Sequence, residues 1–212
     1  KRAQSSGGGL LKRLHLFEIE DQPWFPEICR NFLTDFLESV SNLTGVYDVC
    51  LPLIERLQAA TGTRRILDLC SGAGGPWPRW ARTGQIPGEV LLSDRFPNRT
   101  AYSRLERDFE RIGFCSHSVE ALEAPKSLAK VHTLFTAIHH LKPEDLSQLL
   151  QRCQKEEIAL GAFDFNQRSL WTLLGIPLLA LVCTTPAMRR GVVVVGSTIT
   201  CLLGAWWLLE RT

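Results

Sequence analysis

No Cys-x-x-Cys pair occurs in this chain, and its histidines complete no zinc pattern with the cysteines. The seven cysteines, Cys29, Cys50, Cys70, Cys115, Cys153, Cys183 and Cys201, are dispersed and odd in number. They fit reduced thiols in a cytosol rather than a disulfide framework. Neither charge sign dominates: 24 Lys and Arg oppose 22 Asp and Glu, for a net charge of +2. The arginines are scattered and no aromatics are interleaved with them as a stacking platform would require, so there is no nucleic-acid signal. The start lacks an apolar run; Lys1-Arg2 leads into a polar Ser/Gly stretch, which is not a secretory signal. It also lacks an initiating methionine, and the natural start is expected upstream of Lys1. Asn42-Leu43-Thr44 matches a glycosylation sequon by chance.

What is present suits one α/β domain with an extension, since 212 residues can bury a core. Residues 1–16 read as a flexible leader through Ser5-Ser6-Gly7-Gly8-Gly9. Glu18 to Pro26 places acids before Trp24 and Phe25, between prolines. Two readings fit: the aromatics plug the edge of the core, or they cap a ligand pocket. Over residues 27–43 the apolar positions Phe32, Leu33, Phe36, Leu37, Val40 and Leu43 predict a helix with one apolar stripe. A second helix is expected over 46–60, with Leu53, Leu57 and Ala60 inward.

The rest is organised around residues 64–77. Ile66-Leu67-Asp68-Leu69 reads as a short buried strand, followed by a turn with Gly72, Gly74 and Gly75 and a helix over 77–83. Glycine permits positive φ and close approach of a ligand to the backbone. The helix start offers N–H groups and a positive dipole end. Together they suggest a nucleotide-like ligand across the carboxyl ends of a parallel sheet. A dinucleotide fingerprint would need a small residue where Trp77 stands.

Further strands are expected over 89–94, 113–117 and 133–141, and over 158–165, where Gly161 is expected to break the strand. Asp164 and Asn166 fall near the carboxyl end of that last strand. A helix over 100–112 should turn Tyr102, Leu105, Phe109 and Ile112 inward. Another begins at Pro143-Glu144-Asp145, with acids in its first turn as the dipole prefers, and runs to Gln151.

Asp68-Leu69-Cys70-Ser71-Gly72-Ala73-Gly74 resembles the first motif of class I S-adenosylmethionine-dependent methyltransferases. Cys70 stands where that family usually has glycine. Glu89 to Asp94 is similar to the family's second strand with its terminal acid. Ser118 to Ala121 resembles its third ligand-binding turn, and 133–141 its fourth strand and catalytic-face loop. The resemblance implies a Rossmann-like sheet with helices on both faces and S-adenosyl-L-methionine as cofactor. It places Asp68, Cys70, Ser71, Gly72, Ala73, Gly74, Asp94, Arg95, Glu120 and Ala121 around that cofactor. Asp94 would take the ribose and Glu120 would lie by the adenine. Asp68 would orient the turn or reach the ligand's ammonium. Thr136, His139 and His140 would stand on the acceptor side, one histidine as base or the pair positioning the loop. No Asn-Pro-Pro-aromatic run is present to suit an adenine or glutamine amide acceptor.

Residues 170–188 and 191–209 are two uncharged runs divided by Arg189-Arg190, each near the ~20 residues that span a bilayer. Three arrangements fit: a transmembrane hairpin, a segment lying on the membrane, or apolar helices covering the sheet or the substrate mouth. The first sets Arg189-Arg190 against the positive-inside bias. The family's final antiparallel strands are not evident. The chain as a whole resembles a bacterial group of class I methyltransferases of unassigned substrate, with an Asp-Gln-Pro-Trp-Phe-Pro start and a long apolar tail. The expected organisation is a leader at 1–16, a cap and helices at 17–60, the cofactor-binding domain at 61–168 and the apolar tail at 169–212. The expected acceptor is a small molecule or lipid. The catalytic domain is placed in the cytoplasm, with membrane association through 170–209. The alternative is a non-catalytic, membrane-tethered sensor or scaffold that binds S-adenosylmethionine or another nucleotide.

Overall fold

The computed structural model describes residues 19–164. The leader, the apolar tail with its hairpin and covering alternatives, the final strands and Asn166 lie outside the described residues. Among the described residues, no helix is long and apolar enough to cross a membrane.

Five short strands form one wholly parallel sheet: β1 (Arg65–Leu69), β2 (Glu89–Leu92), β3 (Ile112–Phe114), β4 (Val131–Phe135) and β5 (Ala159–Phe163). Their order is β3-β2-β1-β4-β5. The central strands are largely buried because helices cover both faces; all five residues of β4 are buried. On one face, α2 (Leu51–Thr61), α3 (Trp77–Arg82) and α4 (Arg99–Asp108) bury Ile54, Trp80 and Tyr102 against Ile66, Val90 and Val131. On the other, α5 (Pro143–Glu156) and the loops before β4 bury Leu149 and Cys153 against Leu67, Leu69 and Leu134. This is a Rossmann-like α/β arrangement, with the strand order reversing between β1 and β4.

Several local expectations change. β5 is not broken at Gly161. It pairs with β4 throughout, and a Cβ at Gly161 would come within 2.9 Å of Leu57, so the glycine lets α2 sit close to the sheet. The second helix starts at Leu51 rather than Val46, after a 3-10 turn over Asp48–Cys50. It buries Leu51, Ile54 and Gln58, while Leu53 faces outward. α4 stops at Asp108, and Ile112, expected on its stripe, opens β3. α5 runs past Gln151 to Glu156.

The first helix, α1 (Glu27–Thr44), has the expected length. Its apolar stripe is only partly covered: Phe32 is 44%, Leu37 50% and Leu43 57% exposed, Leu33, Phe36 and Val40 are half-buried, and Asn42 is its one buried residue. It ends on Gly45 in the left-handed region, where φ is 66°, a conformation glycine adopts without strain. Asp48, just beyond, accepts two bonds from Arg79 Nε and one from Nη2, and a fourth from the buried Trp80 Nε1. That cluster fastens the α1–α2 turn to α3.

Candidate functional site

The site is built at the carboxyl ends of β1, β2, β4 and β5, around the point where strand order reverses. After β1, Cys70 takes φ 53° and Gly72 φ 55°. A left-handed conformation costs a residue with a Cβ roughly 1–2 kcal/mol. That cost explains why glycine would suit position 70. Across the switch, Thr136 at the end of β4 takes φ 48°, a true outlier for a β-branched residue. Strain of this kind concentrates at functional sites. The Tyr47 hydroxyl and Thr136 Oγ1 are hydrogen-bonded, which holds Thr136 in place.

The two acids expected near the ligand sit differently. Asp94 is half-buried beside the turn. Its Oδ2 accepts from Gly72 N–H at 3.0 Å and its Oδ1 from Phe96 N–H at 2.9 Å. Burial raises its pKa, and these two bonds work in the opposite direction. Asp68 is buried under the loop, where its Oδ1 accepts from Thr133 Oγ1 at 2.6 Å. Trp77 Nε1 helps to lower the Asp68 pKa but does not reach hydrogen-bond geometry. Burial dominates and pushes the Asp68 carboxyl up to about 7. Ser71 Oγ donates to the Asp68 carbonyl, and Ser93 N–H and Oγ close the same buried knot between β1 and β2.

The elevated Asp68 pKa gives a pH dependence. The folded form holds its proton up to about 7, whereas the unfolded chain releases it near the ordinary carboxyl value, so this contribution is full in acid. It is lost as pH rises through about 7, at up to roughly 1.4 kcal/mol per pH unit. Asp68→Asn is expected to flatten the fall in urea midpoint between the ordinary carboxyl range and neutrality. An unchanged slope in the variant would show that the proton is held elsewhere.

Not all the glycines leave room for a ligand. A Cβ at Gly74 would meet Leu105 Cδ1 at 2.5 Å, so its bareness serves packing on α4. A Cβ at Gly72 would lie 3.3 Å from Thr34 of α1, and one at Gly75 would meet nothing within 4 Å. Ala73 is buried in the core. Arg95 and Glu120 form an ion pair at 2.8 Å at the rim. Val119 N–H donates to the Asp94 carbonyl, tying the 118–121 turn to the end of β2, and Ala121 is buried. The Cys70 thiol is held well above its usual pKa, by burial first and by nearby carboxylates second, so it is no nucleophile at neutrality.

On the β4–β5 side, a 3-10 turn over Ile138–His140 carries both histidines, their rings 4.3 Å apart. Each faces a carboxylate. His139 Nδ1 lies 2.9 Å from Asp164 Oδ2, and the pair is largely buried. His140 Nδ1 lies 2.8 Å from Asp21 Oδ2. For Asp21, burial acts to raise the pKa, but the His140 bond and charge outweigh it and the carboxyl is held below its usual range. The third histidine of this strand region, His132, is buried and pushed down to about 4, so it stays neutral within the core.

Asp21 arrives on the N-terminal strap that precedes α1. Arg30 secures this strap by donating to the carbonyls of Glu20, Gln22 and Phe25, and its guanidinium lies 4.0 Å from the Phe96 ring centroid. Trp24 is 62% exposed, so it does not plug the core; the acid of the strap, rather than its aromatics, reaches the histidines. Asp21 and Asp164 complete the histidine pair, and sequence reasoning did not assign them to the site. Asp164 stood at the edge where such groups gather, whereas nothing local pointed from Asp21 to His140. Among the described residues, no group of three or more His, Cys, Asp or Glu side chains is arranged to hold a metal ion.

No family model matches the chain, and no curated protein matches it. Among solved structures it is similar to human N-acetylserotonin methyltransferase in complex with S-adenosylmethionine. The identity is 19% and the TM-score 0.43, over 62% of this chain and 35% of that one. It is also similar to a Methanococcus maripaludis protein described as an S-adenosyl-L-methionine-dependent methyltransferase. There the identity is 13% and the TM-score 0.38, over 71% of this chain and 73% of that one. The chain thus spans about a third of the length of the human enzyme.

Proposed function

We propose that this chain is an S-adenosyl-L-methionine-dependent methyltransferase acting on a small-molecule or lipid acceptor. The observation that carries this reading is the Asp94 carboxylate held 3.0 Å from Gly72 N–H. It joins an acid just beyond β2 to the left-handed turn after β1. A carboxylate so placed suits paired ribose hydroxyls, as in other sheets of this kind. The residues fit the cofactor in chemistry: Cys70, Ser71 and Gly72 would border the methionine portion, Asp94 would take the ribose, and Arg95, Glu120 and Ala121 would flank the adenine. Gly74 and Asp68 support this loop from beneath, through Leu105 and Thr133.

The bound cofactor would supply an electrophilic methyl group on a positively charged sulfur. The protein's share is alignment, together with removal of a proton where the acceptor carries one. His139 is the base in this reading. The Asp164 carboxylate, 2.9 Å from Nδ1, holds the ring in place. His140, held by Asp21, and Thr136, held by Tyr47, shape the acceptor side. The catalytic domain is placed in the cytoplasm, where this cofactor is made.

A thermal-shift panel tests the assignment. S-adenosylmethionine and its demethylated product should each stabilise the full chain. A ligand at roughly 100 times its Kd adds about 2.7 kcal/mol. A nicotinamide dinucleotide should have no effect. Stabilisation by the dinucleotide alone would transfer the site to hydride chemistry. Labelled methyl recovered only in water-soluble products would remove the lipid option.

A further inference from the structure

The strap before α1 lies across the edge of the sheet where the site is built. On one side Asp21 Oδ2 is 2.8 Å from His140 Nδ1, in the 3-10 turn after β4. On the other, the Arg30 guanidinium rests 4.0 Å from the ring centroid of Phe96, whose N–H donates to Asp94 beyond β2. β4 and β2 flank β1 in the sheet, so the strap bridges two strand spacings, about 10 Å. Between its fastenings, Thr34 lies against Gly72 of the turn after β1, where a Cβ would meet it at 3.3 Å. Burial is the main reason that the Asp94 and Cys70 pKa values are raised, and the charge of Asp21 adds to both. The strap's carboxylate thus stands over the turn that the proposed cofactor would use.

Among the described residues, what holds the strap is polar rather than apolar. No residue from 20 to 25 is buried, and Trp24 is the most exposed large side chain among them. Arg30 donates to the carbonyls of Glu20, Gln22 and Phe25. Asp21 faces His140, with Arg95 and His139 adding attraction and Asp94 opposing it. A segment with few buried apolar contacts opens at far lower cost than the core. Pro23 and Pro26 restrict their own φ and the residues before them, which favours movement of the strap as one piece about the start of α1.

We infer that residues 19–25 form a gate over this cleft, which lifts for a ligand to enter or leave and is fastened shut by Asp21 on His140 and by Arg30 on the strap's carbonyls. Asp21 and Arg30 are positioning residues in this scheme: they hold the strap and leave the chemistry to the groups beneath it. Polar fastenings at the surface suit repeated opening, because water replaces their hydrogen bonds when they part. A strap seated by buried aromatics would instead have to expose apolar surface each time. Only the ligand's identity rests on the methyltransferase reading.

Asp21→Ala and Arg30→Lys, each made in the full chain, test the gate. In Asp21→Ala, hydrogen exchange in the peptide covering 19–25 should quicken roughly tenfold while exchange in α4 stays as in the parent. Stopped-flow mixing with S-adenosylmethionine should show association and dissociation both quickened roughly tenfold, with Kd kept within about threefold, because a gate alters access rather than the bound contacts. Arg30→Lys keeps the charge but loses the planar fork, and should move both rates in the same direction. Unchanged exchange at 19–25 overturns the inference. So do unchanged rates in both variants, and so does faster dissociation with association unaltered, which would make the strap a ligand contact and not a gate. If S-adenosylmethionine binds neither parent nor variants, the cofactor reading falls, and exchange at 19–25 then decides by itself whether the strap lifts.

Discussion

Replacing His139 with alanine is expected to lower kcat for methyl transfer roughly 10²- to 10⁴-fold, the usual contribution of a positioned base. Stabilisation by S-adenosylmethionine should survive, because His139 stands on the β4–β5 side of the strand-order switch and Asp94 on the β1–β2 side. Asp164→Asn is the companion variant. It keeps the shape beside Nδ1 but removes the carboxylate's charge. It should therefore lose less than His139→Ala. His140→Ala separates chemistry from positioning, since His140 is turned toward Asp21 of the strap. Equal kcat for His139→Ala and the parent, with the cofactor still bound, would end the base assignment. It would leave a methyl transfer driven by alignment alone.

Asp94→Ala should weaken S-adenosylmethionine and its demethylated product about 10²-fold or more in calorimetric titration. Each hydrogen bond to a charged group is worth roughly 1.5–3 kcal/mol, and a ribose presents two hydroxyls. The same carboxylate also accepts from Gly72 and Phe96 N–H, so alanine loosens the turn as well. Asp94→Asn is the milder companion: its amide oxygen can keep one of these two bonds, while the charge and the other acceptor are gone. Unchanged affinity in both variants would mean that the ligand lies elsewhere, and the methyltransferase reading would lose its main support.

Some of this was already visible in short stretches of sequence. The strand from Ile66 to Leu69 followed by glycines, and the second strand beginning at Glu89 with Asp94 beyond it, are signals within a few residues, because apolar runs and turn chemistry act locally. The acids of α5's first turn are likewise a local dipole effect. The facing of α1 was not visible. Its periodicity marks an apolar arc, but the same periodicity serves a helix turned either way about its axis. Only the contacts of Asn42, Thr34 and Asp35 fix which side meets the sheet. Gly161 shows the same limit: a glycine in a strand marks a break or a close approach, and Leu57 decides between them.

By itself the sequence determined an alternation of strands and helices, a bare turn after the first strand and an acid following the second. These depend on the preferences of neighbouring residues. Tertiary structure alone decided which groups meet at the sheet's edge: Asp21 with His140, Asp164 with His139, Tyr47 with Thr136. Those partners are far apart along the chain, and strand order rather than residue spacing brings them together.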